Sequence, residues 1–268
     1  MERFQTKKSL GQHFLNDVRI AERIAAEGEI VPGETVLEIG PGTGFLTIEL
    51  LKAGAKVVAV EADIRAIEEL QLRFGTEIAA ERLHIHHGDI RELRFAELGL
   101  TDHGFKVIAN IPYYISGLLF RLCLDGDIQP SRVVFLVQKE VAERITRSKK
   151  ESLLSIGVKI YSDPSYAFTV KRGSFTPSPK VDSAVVTMKQ VSRERLDGLT
   201  EEDFFSVVRA GFASRRKQLY GCLRETYTAD VLDSAFSTLS LPRTVRGEDL
   251  KLGDWVALAK LLVLSTQS

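Results

Sequence analysis

Five short apolar runs punctuate the first half of the chain, at residues 35–39, 56–61, 83–87, 105–109 and 132–137. Each has the length of a strand, and continuous apolar runs bounded by turn residues fit strands buried on both faces. Between them apolar residues recur at helical spacing, as in Leu46, Leu50 and Leu51, or Ile64, Ile67 and Leu70. Asp17 and Asp63 stand where a side-chain oxygen caps the first turn of such helices. Strands alternating with helices predict an α/β fold built on a doubly wound, mostly parallel sheet. The pattern changes after about residue 164. Residues 165–175 and 180–190 both read as strands, and the short Thr176-Pro177-Ser178-Pro179 link leaves no room for a crossover helix. They are therefore expected to pair antiparallel and close a seven-stranded sheet. From about Thr200 two apolar stripes, Phe204-Val207-Val208-Gly211-Phe212 and Val256-Leu258-Ala259-Leu262-Val263, predict helices. The expected division is a sheet domain over 1–196 and a small helical domain over 197–268.

Composition changes this picture little. With 44% apolar residues in 268, a sizeable core is expected. Lys+Arg and Asp+Glu balance at 36 each, so net charge offers no support for a nucleic-acid partner. A local basic face would suffice, and three clusters are candidates for phosphate contact: Lys7 and Lys8; Arg144, Arg147, Lys149 and Lys150; Arg215, Arg216 and Lys217. Each could equally be a solvated face. Cys123 and Cys222 lie in apolar, helix-like contexts and read as reduced core residues of a cytoplasmic protein. The N-terminal stretch does not resemble a signal peptide, and the apolar run 258–264 is too short to span a bilayer, so no membrane role is expected.

The candidate chemistry sits at strand tips, where open α/β sheets bind ligands. Gly40-Pro41-Gly42-Thr43-Gly44 follows the first run and lets backbone approach a ligand closely. Glu61 ends the second run, placed to accept both hydroxyls of a ribose. The pair occurs in dinucleotide enzymes and in S-adenosylmethionine methyltransferases. The G-x-G-x-G spacing, with Pro41 where a pyrophosphate cradle would want an N–H, favours the methyl donor. Asp89 ends the third run and could accept from an adenine amine, or cap a helix over 90–97. After the fourth run comes Asn110-Ile111-Pro112-Tyr113. Asn110 offers an amide oxygen, Ile111 a carbonyl held extended before Pro112, and Tyr113 a flat ring. Two acceptors and a stacking face suit an exocyclic amine such as adenine N6, although the same residues also make a stiff turn. His84, His86 and His87 share one strand without partners at ligand spacing, so no metal is expected. Ser116 shows no His–Asp partners for a hydrolase.

Several runs carry a family resemblance: S-L-G-Q-H-F-L-N-D from Ser9, V-L-E-I-G-P-G-T-G-F-L-T from Val36, Glu61, Gly88-Asp89, N-I-P-Y-Y-I-S from Asn110, Q-K-E-V-A-E-R-I from Gln138 and F-T-P-S-P-K-V-D-S-A-V from Phe175. In this order, across nearly the whole chain, they resemble the ribosomal RNA adenine dimethyltransferases, and most closely the bacterial small-subunit enzymes. The resemblance implies the methyltransferase type of sheet, S-adenosylmethionine as donor, S-adenosylhomocysteine as product and two adjacent adenines near the 3′ end of small-subunit rRNA as acceptors. It implies that Gln12, His13, Leu15, Gly40, Gly42, Glu61, Asp89 and Asn110 contact the donor. Asn110 and Ile111 would hold the amine, and Tyr113 and Phe175, with Pro112 shaping the turn, would sandwich the flipped base. The helical domain would bind rRNA within a 30S-type particle, and the protein would be a monomer off the ribosome. Gly117-Leu118 departs from the Thr/Ser-Pro of many members, which leaves the loop conformation open. The rival expectations are a large-subunit rRNA adenine methyltransferase and an RNA-binding ribosome assembly factor.

Overall fold

The computed structural model describes residues 13–214 and 216–266. Two residues, β1 (Phe14–Leu15), precede helix α1 (Val18–Glu27), which starts where the Asp17 carboxylate accepts the Arg19 N–H at 3.1 Å. The five apolar runs form β2 (Thr35–Ile39), β3 (Lys56–Glu61), β4 (Leu83–His87), β5 (Phe105–Asn110) and β6 (Arg132–Gln138). Helices α2 (Phe45–Lys52), α3 (Ile64–Arg73), α4 (Gly75–Ala79) and α5 (Ser116–Leu124) lie between them in sequence, and α6 (Lys139–Thr146) and α7 (Leu153–Lys159) follow. Then come β7 (Asp163–Val170), the two-residue β8 (Phe175–Thr176) and β9 (Ser183–Lys189).

The sheet has the order β4-β3-β2-β5-β6-β9-β7. Strands β2 to β6 are parallel, and β9 inserts antiparallel between β6 and β7. The seven strands and the closing antiparallel pair agree with the sequence pattern. The first of that pair is shorter than expected. It stops at Val170 because Asp182 accepts from Lys171 Nζ at 2.9 Å and from the Arg172 N–H at 3.1 Å, folding the chain into a turn. Phe175 and Thr176 then leave the sheet and pair antiparallel with β1, in the register Phe14 to Thr176 and Leu15 to Phe175. No α-helix forms over 90–97. A single turn at Asp89 leads to a 3₁₀ helix, Phe95–Leu98, ended by Gly99. Gly117-Leu118 continues the 3₁₀ turn Tyr113–Ile115 directly into α5.

Val36, Val57, Ile108, Val134 and Leu136 from the strands are buried with Ile24, Leu50 and Leu70 from the helices. Burial of this apolar surface is the main favourable term for the fold. Cys123 and Cys222 are both buried, and neither is in a disulfide. No described helix is long and apolar enough to cross a membrane.

The chain divides into two compact units, residues up to Glu143 with Ser162–Val191, and Arg144–Tyr161 with the chain from Ser192. The second unit carries α8 (Glu201–Gly211), α9 (Leu219–Leu223), α10 (Ala229–Thr238) and α11 (Leu252–Thr266). The expected division at 196/197 kept 144–161 with the sheet, whereas these contacts place it among the helices. The buried Glu151 explains the grouping. It accepts from Lys159 Nζ at 2.7 and 2.9 Å and from Ser155 Oγ at 2.8 Å, with Nζ of Lys251, the residue before α11, at 3.8 Å. The Glu151 N–H donates to the Glu248 carbonyl at 2.7 Å. The expected stripes are inside, with Phe204, Val207, Val208, Leu258, Ala259 and Leu262 buried. At their centre lies Trp255, stacked on Phe212 at 5.3 Å and filling the space a Gly211 side chain would need.

Removing one partner from a buried carboxylate leaves its desolvation uncompensated. Lys159→Met should therefore destabilise the protein by about 2–3 kcal/mol, at the lower end for a broken buried pair because part of the Lys159 side chain stays in water. Urea unfolding measures this, and Glu151→Gln should cost less.

Candidate active site

The carboxyl ends of β2, β3, β4 and β5 open into one cavity of about 360 Å³. Its wall includes Gly40 and Gly42 after β2, Glu61 at the tip of β3, Asp89 beyond β4 and Asn110 to Tyr113 after β5. All four strand-tip motifs thus meet in one place, where the strand order reverses around β2.

Glu61 is the anchor of the first wall. One carboxylate oxygen accepts the Gly42 N–H at 3.0 Å, and the other accepts the N–H groups of Ala62 and Asp63 at 2.9 and 3.0 Å. Gly42 takes φ +56 to aim its N–H this way, and a Cβ there would stand 2.6 Å from the Phe14 ring. Gly40, at φ +66, has nothing within 4 Å of the Cβ position, so backbone is exposed to whatever enters. Beneath the turn lies a second acid, inside β2 rather than at its tip. Glu38 is 1% exposed, and its Oε2 accepts from Thr47 Oγ1 at 2.7 Å. Burial, reinforced by the nearby Glu61 charge and opposed by the Thr47 bond, pushes its carboxyl up to about 8.

Two copies of the tripeptide Asp-Ile-Arg flank the cavity. In each, the Asp accepts the Arg backbone N–H, at 3.1 Å for Asp63–Arg65 and 2.9 Å for Asp89–Arg91, and takes the same guanidinium on its carboxylate. The Arg91 guanidinium holds the Asp89 carboxyl below its usual range. Ile64 and Ile90 supply apolar walls between these acids. A repeat of three residues is too short to read as one, but its recurrence at successive strand tips was the available signal.

On the acceptor side, Asn110 Nδ2 donates to the His13 carbonyl at 3.1 Å, which sends Oδ1 the other way. His13 Nδ1 donates to the Pro177 carbonyl at 2.8 Å, and its ring lies 5.5 Å from that of Tyr113. The Tyr113 hydroxyl meets Ser183 Oγ at 2.5 Å. Pro112 at φ −60 stiffens the connection after Ile111.

Two expected residues do not reach the cavity. Leu15 and Phe175, paired across β1 and β8, face the core, and Phe175 is 3% exposed. Side chains alternate along a strand, so burying Leu15 turns its neighbour Phe14 to the cavity instead. Phe175 as one face of a base sandwich does not fit this arrangement. Lys7, Lys8, Gln12 and Arg215 lie outside the described residues. Arg144, Arg147, Lys149 and Arg216 are exposed on the second unit, where Lys150 pairs with Glu248 and Lys217 with Glu225. Among the described residues no His, Cys, Asp or Glu group is arranged to hold a metal ion.

A sheet of this order with a glycine turn and an acid at adjacent tips belongs to the doubly wound class that binds nucleoside-type ligands. The family model for ribosomal RNA adenine dimethylase matches residues 3–263, and the chain belongs to that family. It is 35% identical to the Ribosomal RNA small subunit methyltransferase A of Dehalococcoides mccartyi (strain CBDB1), over 95% of this chain and 87% of that protein. It is also 35% identical to the protein of the same name from Geobacter metallireducens, over 98% and 97%. Among solved structures, a dimethyladenosine transferase from Plasmodium falciparum superposes with a TM-score of 0.75 at 26% identity, covering 92% of this chain and 96% of that one. The 23S rRNA methyltransferase ErmE gives 0.74 at 24% identity, over 93% and 99%, a likeness of fold.

Glu38 gives the site a pH signature. Its folded value near 8 exceeds the ordinary 4.5, so folding retains a proton that the unfolded chain has released between those values. The stabilisation is full below pH 4.5 and is lost as pH rises to about 8. Glu38→Gln keeps an acceptor for Thr47 and should flatten this slope in chemical denaturation, matching or exceeding wild-type stability at the alkaline end.

Proposed function

We propose that this protein transfers methyl groups from S-adenosylmethionine to N6 of two adjacent adenines near the 3′ end of small-subunit ribosomal RNA, within a 30S-type particle, releasing S-adenosylhomocysteine. It would act in the cytoplasm and as a monomer off the ribosome, with its helical unit supplying phosphate contacts. The observation that carries the reading is the convergence of Gly40, Glu61 and Asp89 with Asn110, Ile111 and Tyr113 on one cavity. The names of the relatives favour the small subunit over the large.

The residues fit the donor. Gly40 leaves its backbone open, Ile64 and Ile90 suit the faces of an adenine, and the cavity lies in the size range of small-ligand sites. The donor supplies a methyl group already activated on a sulfonium, so the chain contributes binding, alignment and electrostatics. Glu61 has lone pairs beyond those its three N–H partners use, and these accept the ribose hydroxyls. Asp89, kept ionised by Arg91, accepts from the adenine amine of the donor.

The target amine is the harder problem, because its lone pair is delocalised into the purine. Asn110 Oδ1 and the Ile111 carbonyl accept its N–H groups and favour a pyramidal nitrogen facing the methyl. This is fixed-dipole stabilisation of the transition state combined with orientation. No base is needed before attack, and the proton leaves once the nitrogen carries positive charge. The Tyr113 ring stacks on the flipped base, offsetting part of the few kcal/mol spent on extrusion.

Transfer of labelled methyl to separated, unmethylated ribosomal subunits tests the reading. The expected product is N6,N6-dimethyladenosine on the small subunit, with Asn110→Ala reducing turnover by about a hundredfold or more. Label on the large subunit would move the assignment there, and label on neither would leave a binding or assembly role. Glu61→Gln should weaken S-adenosylmethionine binding by roughly tenfold to a hundredfold, the value of hydrogen bonds to a charged acceptor. Calorimetric titration reads this directly.

A further inference from the structure

One residue of the cavity wall has no part in the chemistry above. Tyr114 lines the same cavity as Asn110 and Tyr113 but is 62% exposed. The two tyrosines are used differently. Tyr113 is partly buried, with its hydroxyl on Ser183 and its ring beside His13. Tyr114 points its ring into solvent from a turn held by the Ile115 N–H on the Pro112 carbonyl at 3.2 Å and by Ser116 Oγ on the Tyr113 carbonyl at 3.1 Å. Its backbone is therefore fixed while its ring is uncovered.

The surroundings extend the same surface. Arg91, also on the cavity wall, has 48% of its side chain exposed while its guanidinium pairs with Asp89. The wall of the cavity thus offers an exposed aromatic face and a cation. That combination suits a nucleobase and the phosphate attached to it.

We propose that Tyr114 is the platform on which the nucleobase adjacent to the target adenine stacks, with Arg91 facing the phosphate between the two. The proposal rests on the functional reading above and deepens it. Tyr113 and Tyr114 are consecutive in one turn and both line the cavity, so a target base on the first leaves the second for its neighbour. A substrate with two neighbouring targets needs such an arrangement. While one adenine is held by Asn110 and Ile111, the other has left its helical stack and requires a surface of its own. The same platform then receives the first adenine when the second enters.

The test uses the full-length protein and unmethylated small subunits. Base–aromatic stacking of the usual strength predicts that Tyr114→Ala raises KM for the particle by roughly five- to a hundredfold. The loss should fall on KM rather than kcat, donor affinity should hold, and Tyr114→Trp should restore KM. Particles reconstituted with an abasic site beside the target adenine should lose the same factor with wild-type protein and little more with Tyr114→Ala, because one contact cannot be removed twice. A wild-type KM in Tyr114→Ala would overturn the platform, and so would losses that multiply independently in the abasic particle. These outcomes are distinct from failure of the functional reading, in which the wild-type protein labels no small subunit at all.

Discussion

Three backbone N–H groups converging on the Glu61 carboxylate hold the donor side of the cavity together. Two of them, from Ala62 and Asp63, belong to the chain leaving β3. The third, from Gly42, comes from the turn after β2. The carboxylate is thus a tie between adjacent strand tips as well as a ligand group. Glycine-rich turns of this kind are expected to aim N–H groups at the ligand, yet the Gly42 N–H is spent on the acid that would bind it. One layer deeper, burial governs Glu38, and the Glu61 charge adds to it. Taken out of water, the Glu38 carboxyl is driven towards its neutral form, which spares the layer beneath the turn a buried charge.

The acceptor side depends on a different device. Asn110 faces the cavity correctly because its amide nitrogen is taken by the His13 carbonyl, and His13 is fixed in turn by Pro177 and the Tyr113 ring. The two-residue ladder of β1 and β8 brings these groups together. An amide that could rotate would present a donor half the time to an amine that needs acceptors. Orientation here is supplied by main-chain groups from the far ends of the first unit.

Most of the sheet was legible because buried parallel strands write continuous apolar runs, and departures from those runs stand out. Glu61, Asp89 and Asn110 were visible as polar residues at the ends of apolar strands. Glu38 was hidden by the same logic, since an acid inside a strand carries no tip position to mark it. Strands of two residues have no periodicity, so nothing local distinguished Phe14 from Leu15 or revealed that Phe175 turns inward. The grouping of 144–161 with the C-terminal helices rests on Glu151 meeting the Glu248 carbonyl and Lys251 from about a hundred residues on, long-range contacts that composition does not announce. Trp255, buried among the C-terminal helices, lies beside the stripe read from the sequence rather than on it.

The pairing of β1 with β8 also sets an order of assembly. Its side-chain bonds join residues 164 and 160 positions apart in the chain, from His13 to Pro177 and from Asn16 to Thr176. The strand tips that line the donor crevice, β2 to β5 with their turns, are all complete by Tyr113. During synthesis the crevice can therefore form early, while the N-terminal arm waits for more than sixty further residues before it finds its partner. Closing so long a loop is slow relative to local folding. A nascent chain thus holds a place for the donor well before it can orient an acceptor, and the two halves of the site come into register only as the last strands of the sheet emerge.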